Sequence, residues 1–378
     1  MFGGDILIEK DYKDLNKYEK NQRLVEIIKV FFKLGVMAFG GPAAHIAMME
    51  DEIVEKRKWI SREKFMDLIG TTNLIPGPNS TEMAILLGVE RGGILGLILA
   101  GLSFILPSMA ITLIFAFVYV EFNSIPEVHN ILNGIKPVVI TMIIHALFRL
   151  GKSTIKSKAQ IFLALFTGMM YLLNIGEISL LFLAGFIFTF FSNKDRINNK
   201  LKSIEPISSS LLFLLFFKIG AVLYGSGYVL LAFLETEFIE KLHIVTMPQL
   251  IDAVAIGEFT PGPIFTTSTF IGYILKGLPG AIFATIGVFL PSFIIVLLIK
   301  PIIPRLRNSP WTSSMLDGIN VGALVLMTAV TIKLGISTLT NWLPIMIFII
   351  SFYVKSKFKL NSALLVVAGG FIGWLMGI

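Results

Sequence analysis

The chain is built from one unit used twice. Phe31-Phe32-Lys33-Leu34-Gly35 returns 185 residues later as Phe216-Phe217-Lys218-Ile219-Gly220, and Pro76-Gly77-Pro78 returns at the same interval as Pro261-Gly262-Pro263. Leu106-Pro107-Ser108 matches Leu290-Pro291-Ser292, and Arg149-Leu150-Gly151 matches Lys333-Leu334-Gly335, both at 184. One residue lost near Gly92-Gly93 is the expected cause of the slip. A unit of this length is no solenoid repeat. Two apolar halves with Gly and Pro breaks at matching points are the pattern of a secondary transporter, whose substrate sits at the breaks.

Composition places that unit in a bilayer. Of 378 residues, 55% are hydrophobic and 15% charged, and the mean hydropathy is +0.81; soluble domains carry about 25% charge. The apolar runs 92–120, 131–148, 159–173, 178–192, 279–299, 318–332, 339–354 and 361–378 approach or exceed the ~20 residues that cross hydrocarbon. With no cysteine, disulfides, thiolate metal sites and thiol catalysis are excluded. The net charge of +7 sits in loops beside the spans, which is the positive-inside pattern and not a nucleic-acid stripe. Residues 1–23 carry five basic and five acidic side chains and no apolar core, so they read as a charged N-terminal tail or surface helix, not a signal peptide. The domain reading is a first repeat over 24–192, a cytoplasmic linker over 193–208 and a second repeat over 209–378.

Loop charges then set the orientation. The 50–64 stretch holds Lys56, Arg57, Lys58, Arg62 and Lys64 and should be cytoplasmic. Segment 65–90, interrupted at Pro76-Gly77-Pro78 and followed by Arg91, has basic flanks on both sides and reads as a re-entrant hairpin. Signs alternate from there, giving five crossings per half. An odd number turns the second half over. The stretch 235–249, equivalent to the basic loop, carries Glu235, Glu237 and Glu240 against Lys241 alone. Inversion also brings Lys300, Arg305, Arg307, Lys355, Lys357 and Lys359 to the inside. The expected architecture is an all-α polytopic membrane protein of two inverted-topology repeats, each about five transmembrane helices plus a re-entrant hairpin, with both termini external.

The candidate site follows from the breaks. Gly40, Gly41 and Pro42 interrupt the first segment, and Gly225, Ser226 and Gly227 its counterpart. After the Pro-Gly-Pro turns come Asn79, Ser80 and Thr81 in one half and Thr266, Thr267, Ser268 and Thr269 in the other. Gly lets backbone turn or approach a ligand, and Pro restarts a helix without wasting a donor. Free N–H groups, a positive helix end and hydroxyls make an anion site. The alternative is that Pro and Gly only kink the helices. Lys33 and Lys218 could neutralise part of a dianion or snorkel to an interface. Glu82 and Glu258 are candidate proton carriers, with helix capping the alternative for Glu82. At an interval of 185, Asn79 stands opposite Ile264 and Glu82 opposite Thr267. Asp67 and Asp252 are matched and read as caps, Lys136 has only Asn320 opposite it, and His45 reads as a packing residue. His129, His145 and His243 lack metal spacing, and no metal or cofactor is expected. No His-Glu-x-x-His, Gly-x-Ser-x-Gly or paired intramembrane aspartates argue for an enzyme.

These stretches resemble the chromate ion transporter family in its long, two-domain form. The resemblance rests on Phe-Gly-Gly-Pro-Ala-Ala-His-Ile at 39–46, Asn-Leu-Ile-Pro-Gly-Pro-Asn-Ser-Thr-Glu-Met-Ala at 73–84, Tyr-Gly-Ser-Gly-Tyr-Val-Leu-Leu at 224–231 and Thr-Pro-Gly-Pro-Ile-Phe-Thr-Thr at 260–267. It covers about 24–378. It implies export of chromate from the bacterial cytoplasm through the plasma (inner) membrane, chromate resistance, sulfate as the look-alike oxyanion, and oppositely oriented halves. Gln is usual where Glu258 stands, so the resemblance does not extend proton coupling to that position. Inward transport of sulfate or another oxyanion, and a passive anion channel, stay open at this point. So does the oligomeric state, a homodimer included.

Overall fold

The computed structural model describes residues 12–38, 42–72, 75–122, 126–172, 180–181, 183–184, 209–223, 229–299, 310–358 and 362–377. The expected linker 193–208 lies outside them, as do Gly40, Gly41, Gly225, Ser226 and Gly227. Every regular element among the described residues is helical. They are α1 (Lys17–Met37), α2 (Pro42–Met49), α3 (Arg62–Thr72), α4 (Asn79–Phe122), α5 (Pro126–Thr154) and α6 (Lys158–Leu172) in the first half. The second half holds α7 (Ser209–Val222), α8 (Leu230–Leu234), α9 (Met247–Phe259), α10 (Thr267–Ile299), α11 (Pro310–Thr338), α12 (Trp342–Phe358) and α13 (Ser362–Met376). Helix α1 starts at Lys17 behind a reciprocal Asn16–Glu19 capping box, inside the stretch read as a tail or surface helix.

Duplication extends to backbone irregularities. A π-helical turn, Glu50–Lys56, follows α2, and its twin, Glu235–Lys241, follows α8. Each is followed by a non-glycine residue at positive φ, Lys58 (53°) and His243 (52°). Gly92 and Gly93 break α4 at φ −138° and 61°, and Lys276 and Gly277 break α10 at −145° and 61°.

Those breaks explain how a 44-residue helix fits a membrane. Straight, it would be about 66 Å long, twice the hydrocarbon thickness. Instead it folds back at Gly93, and the two arms meet so closely that a Cβ on Gly88 would strike the Gly96 carbonyl and stand 2.6 Å from Ala100 Cβ. Gly272, Gly280 and Ala284 repeat that contact in α10. Among the described residues, four helices are long and apolar enough to cross a bilayer, Asn79–Phe122, Glu127–Lys152, Ile264–Ile299 and Ser314–Thr338, and Ser210–Val222 and Leu364–Met376 are shorter apolar ones.

The halves interlock. Helices α4 and α10 pack on each other, α12 packs on α5 as α6 packs on α11, and α13 lies along α5. That last contact uses Gly369 and Gly373, a small-xxx-small pair that lets α13 reach the backbone of Gly134. The second-half core accordingly takes in Ile105, Ala116, Leu132, Val139 and Ile143 from the first.

Candidate functional site

The two Pro-Gly-Pro loops meet by crossing into each other's half. Gly77 N–H donates to the Leu223 carbonyl at the end of α7 (2.7 Å), and Gly262 N–H donates to the Ala38 carbonyl at the end of α1 (2.9 Å). Leu223 and Ala38 are themselves equivalent, so the contact is reciprocal, as in a two-fold interface. Gly77 sits at φ 133° and Gly262 at φ 90°, conformations that side chains other than glycine's rarely adopt. A Cβ on Gly77 would strike Glu82 Oε1 and reach within 2.5 Å of Ser292 Oγ; one on Gly262 would stand 2.8 Å from Ser108 Cβ. Ser108 and Ser292 are the equivalent serines, each facing the other half's loop.

This geometry corrects the alignment of the halves. The Gly88/Gly96 and Gly272/Gly280 contacts already run at 184, while the loops run at 185. The lost residue therefore falls before Gly88, between the loop and that glycine, not near Gly92-Gly93. There the second half makes a 3-10 turn, Ile264–Thr266, where the first is α-helical. Three 3-10 residues rise about 6 Å, as far as four α-helical ones. Glu82 consequently matches Thr266 and not Thr267: Glu82 lies beside Ser292, and Thr266 beside Ser108.

The matched positions differ in chemistry. Thr266 Oγ1 is 3.1 Å from Ser108 Oγ and 3.2 Å from Thr112 Oγ1, all fully buried. Glu82 is also fully buried, but among the described residues neither its carboxylate oxygens, Ser292 Oγ nor Thr81 Oγ1 has a hydrogen-bond partner of good geometry. Ser80 is buried at the start of the same helix and Asn79 half-buried. Thr267 and Ser268 hydroxyls bond back to the carbonyls of Ile264 and Phe265, and Thr269 ties the two arms of α10 through Thr285 (2.7 Å). Pro42 opens α2, and His45 is buried edge-on to Phe104.

Lys33 and Lys218 are engaged elsewhere. Each is about half exposed and bonded to a carboxylate of the following π-helical turn, Lys33 to Glu52 at 3.0 Å and Lys218 to Glu237 at 2.9 Å. Glu52 is pushed up by burial and held down, on balance, by hydrogen bonds from Lys33 and Arg57; Glu237 is likewise held low by Lys218 and Lys241 against its burial. The signal was in the sequence: both pairs recur at one spacing in both halves. Glu258 lies on α9, buried, within electrostatic reach of Lys355.

Two polar clusters escape the repeat pattern because only one half has them. Lys136 Nζ on α5 lies 3.0 Å from Asp252 on α9, and Tyr119 OH on α4 donates to Asp252 (3.0 Å); all three are buried. Asp252 is thus an interhelical ion partner and not a helix cap. Its counterpart Asp67 is exposed. Beside Tyr119, an apolar crevice of about 480 Å³ opens between Ile135, Phe259 and Trp374, a lining unsuited to a dianion. The second cluster joins Glu26 to Arg91 (2.8 Å), Arg57 (3.0 Å) and Trp59 (3.2 Å), where the other half packs the partly buried Leu211, Leu275, Leu242 and Ile244 against its core.

A multi-pass helical membrane protein whose two halves join broken loops over buried hydroxyls has the build of a membrane transporter. The profile of the Chromate transporter family matches residues 25–190 and 210–374, and the chain belongs to that family, whose members are transporters and not enzymes. An uncharacterized transporter of Methanocaldococcus jannaschii is 29% identical over 96% of this chain and 97% of its own length. A chromate transport protein of Cupriavidus metallidurans is 28% identical over 92% and 91%. An uncharacterized transporter of Bacillus subtilis is 31% identical over 50% of this chain and all of its own length, the size of one repeat. No solved structure matches the chain significantly.

Proposed function

We propose that the chain exports chromate, a tetrahedral dianion, from the cytoplasm across the plasma membrane and so confers chromate resistance, with its halves inverted in the bilayer. The observation that carries this reading is the reciprocal crossing of the Pro-Gly-Pro loops over buried hydroxyls at two helix starts, a setting whose helix polarity favours an anion. Relatives named as chromate transport proteins supply the substrate. A dianion leaving a negative interior gains about 4.6 kcal/mol per 100 mV, so export runs downhill in the field.

Inversion draws support from the unequal ends of the halves. The Arg57, Trp59 and Arg91 cluster suits a cytoplasmic face, and its apolar replacement by Leu242, Ile244 and Leu275 suits the opposite one. The two hairpins also differ in cover. Helix α9 buries everything from Leu250 to Glu258, whereas α3 leaves Arg62, Lys64, Met66 and Asp67 exposed. Alternating access would exchange these two environments.

In this reading Ser80, Thr81 and Thr266 line the anion site, with Asn79, Thr267 and the glycine breaks around it. Glu82 couples a proton to the cycle, since a fully buried carboxyl with no well-formed hydrogen bond among the described residues is costly as an anion. The test is purified protein in liposomes. Chromate should move on imposing a voltage, sulfate should compete, and a pH gradient should change the rate in wild type but not in Glu82→Gln. Absence of chromate movement under every gradient would overturn the reading; sulfate transport with chromate excluded would reassign the substrate.

A further inference from the structure

A polar stripe leaves the loop crossing on one side only. Ser108, Thr112 and Tyr119 lie on one face of α4, spaced four and seven residues apart. They run from Thr266 at the crossing to Asp252 and Lys136, about 16 Å along the helix axis. The pseudo-equivalent path on α10 starts at Ser292 and stops at once, because Val296 stands where Thr112 does and packs into an apolar core. The frame is duplicated, but the path away from the site is not.

A charge pair buried at that depth is costly to keep and is usually functional. Lys136 and Asp252 are 8% and 4% exposed, and they come from different halves, on helices α5 and α9 that pack directly. We propose that Lys136 is a second anion station on the transport path, that Asp252 is its built-in occupant when no oxyanion is present, and that Tyr119 orients Asp252. The proposal rests on the reading of the chain as an oxyanion transporter. A tetrahedral dianion moving along the hydroxyls reaches a fixed ammonium and displaces the carboxylate. Return of Asp252 to Lys136 then expels the anion to the side where α4 ends. The same exchange loosens α5 from α9, so opening and anion arrival are one event. A station on one side alone makes the two directions of transport unequal.

A purely structural ion pair and an anion station differ in what rescues them. A structural pair tolerates replacement of both partners by apolar groups of similar size; a station does not, because its cation is gone. In the double variant Lys136→Met/Asp252→Leu, the protein should insert and melt near wild type while chromate turnover in liposomes falls at least about tenfold. Lys136→Arg should retain most turnover. In Asp252→Asn, chromate should raise the melting temperature more than in wild type, with apparent KM and turnover both lowered, since the competitor is removed and release is slowed. Wild-type turnover in the double variant would overturn the proposal, as would an unchanged KM and chromate-induced melting shift in Asp252→Asn. A wild-type protein that moves no tetrahedral oxyanion would instead sink the functional reading beneath it, and that is measured before any variant.

Discussion

At position 77 one methyl group separates a working crossing from a blocked one. The loop's left-handed backbone, the Glu82 carboxylate and the Ser292 hydroxyl all occupy the space a Cβ would need. Gly77→Ala should therefore cost about 1–3 kcal/mol in stability through backbone strain alone, and transport should fall further than the melting temperature suggests. A thermal melt beside liposome flux checks this; wild-type values for both would show that the loops do not need this approach. Individual residues were unevenly legible. Pro-Gly-Pro and the hydroxyl runs were plain in the sequence because they recur. The pairing of Glu82 with Thr266 was not, since a 3-10 turn hides one lost residue by stretching three others. Lys136 is discounted in the sequence because only Asn320 stands opposite it, Asp252 reads as a cap because it matches Asp67, and Tyr119, with no counterpart, does not stand out.

At the scale of elements, each half ties its first long helix to the π-helical turn that follows. Lys33 reaches Glu52 and Lys218 reaches Glu237, with Arg57 and Lys241 adding a second cation to each carboxylate. Both carboxyls are held below their ordinary value, so their contribution to stability is present above about pH 4.3, the unfolded value. It is lost as pH falls through the lower folded value. The melting temperature contributed by these ties should hold from pH 7 to 5 and decline only in stronger acid. In Lys33→Met, one cation is removed, the folded value moves closer to the unfolded one and the acid decline should be shallower; an unchanged acid profile would mean the pair does not hold the turn. The fold-back of α4 and α10 was only half legible. The sequence separates a hairpin over 65–90 from the apolar run 92–120, but it does not show how closely the two arms approach. The Gly88–Gly96 contact decides it, and that contact is long-range.

Across the whole molecule, duplication explains the frame and asymmetry explains the work. Reciprocal loop bonds bring two helix starts together, while the carboxylate, the one-sided stripe and the cationic end each belong to a single half. Charge counting is what leads from the sequence to the proposal of inversion, because membrane insertion acts on loop charge. It could not show which helices of one half pack on the other, since apolar faces carry no address. The account's central claim is that these matched halves face opposite ways. Lys58 and His243 are equivalent, exposed and both just past the π-helical turns. In a chain without native cysteine, Lys58→Cys and His243→Cys can each be labelled with a membrane-impermeant maleimide in intact cells. The account predicts labelling of His243→Cys from outside and of Lys58→Cys only after the cytoplasmic face is opened; labelling of both from the same side would contradict it.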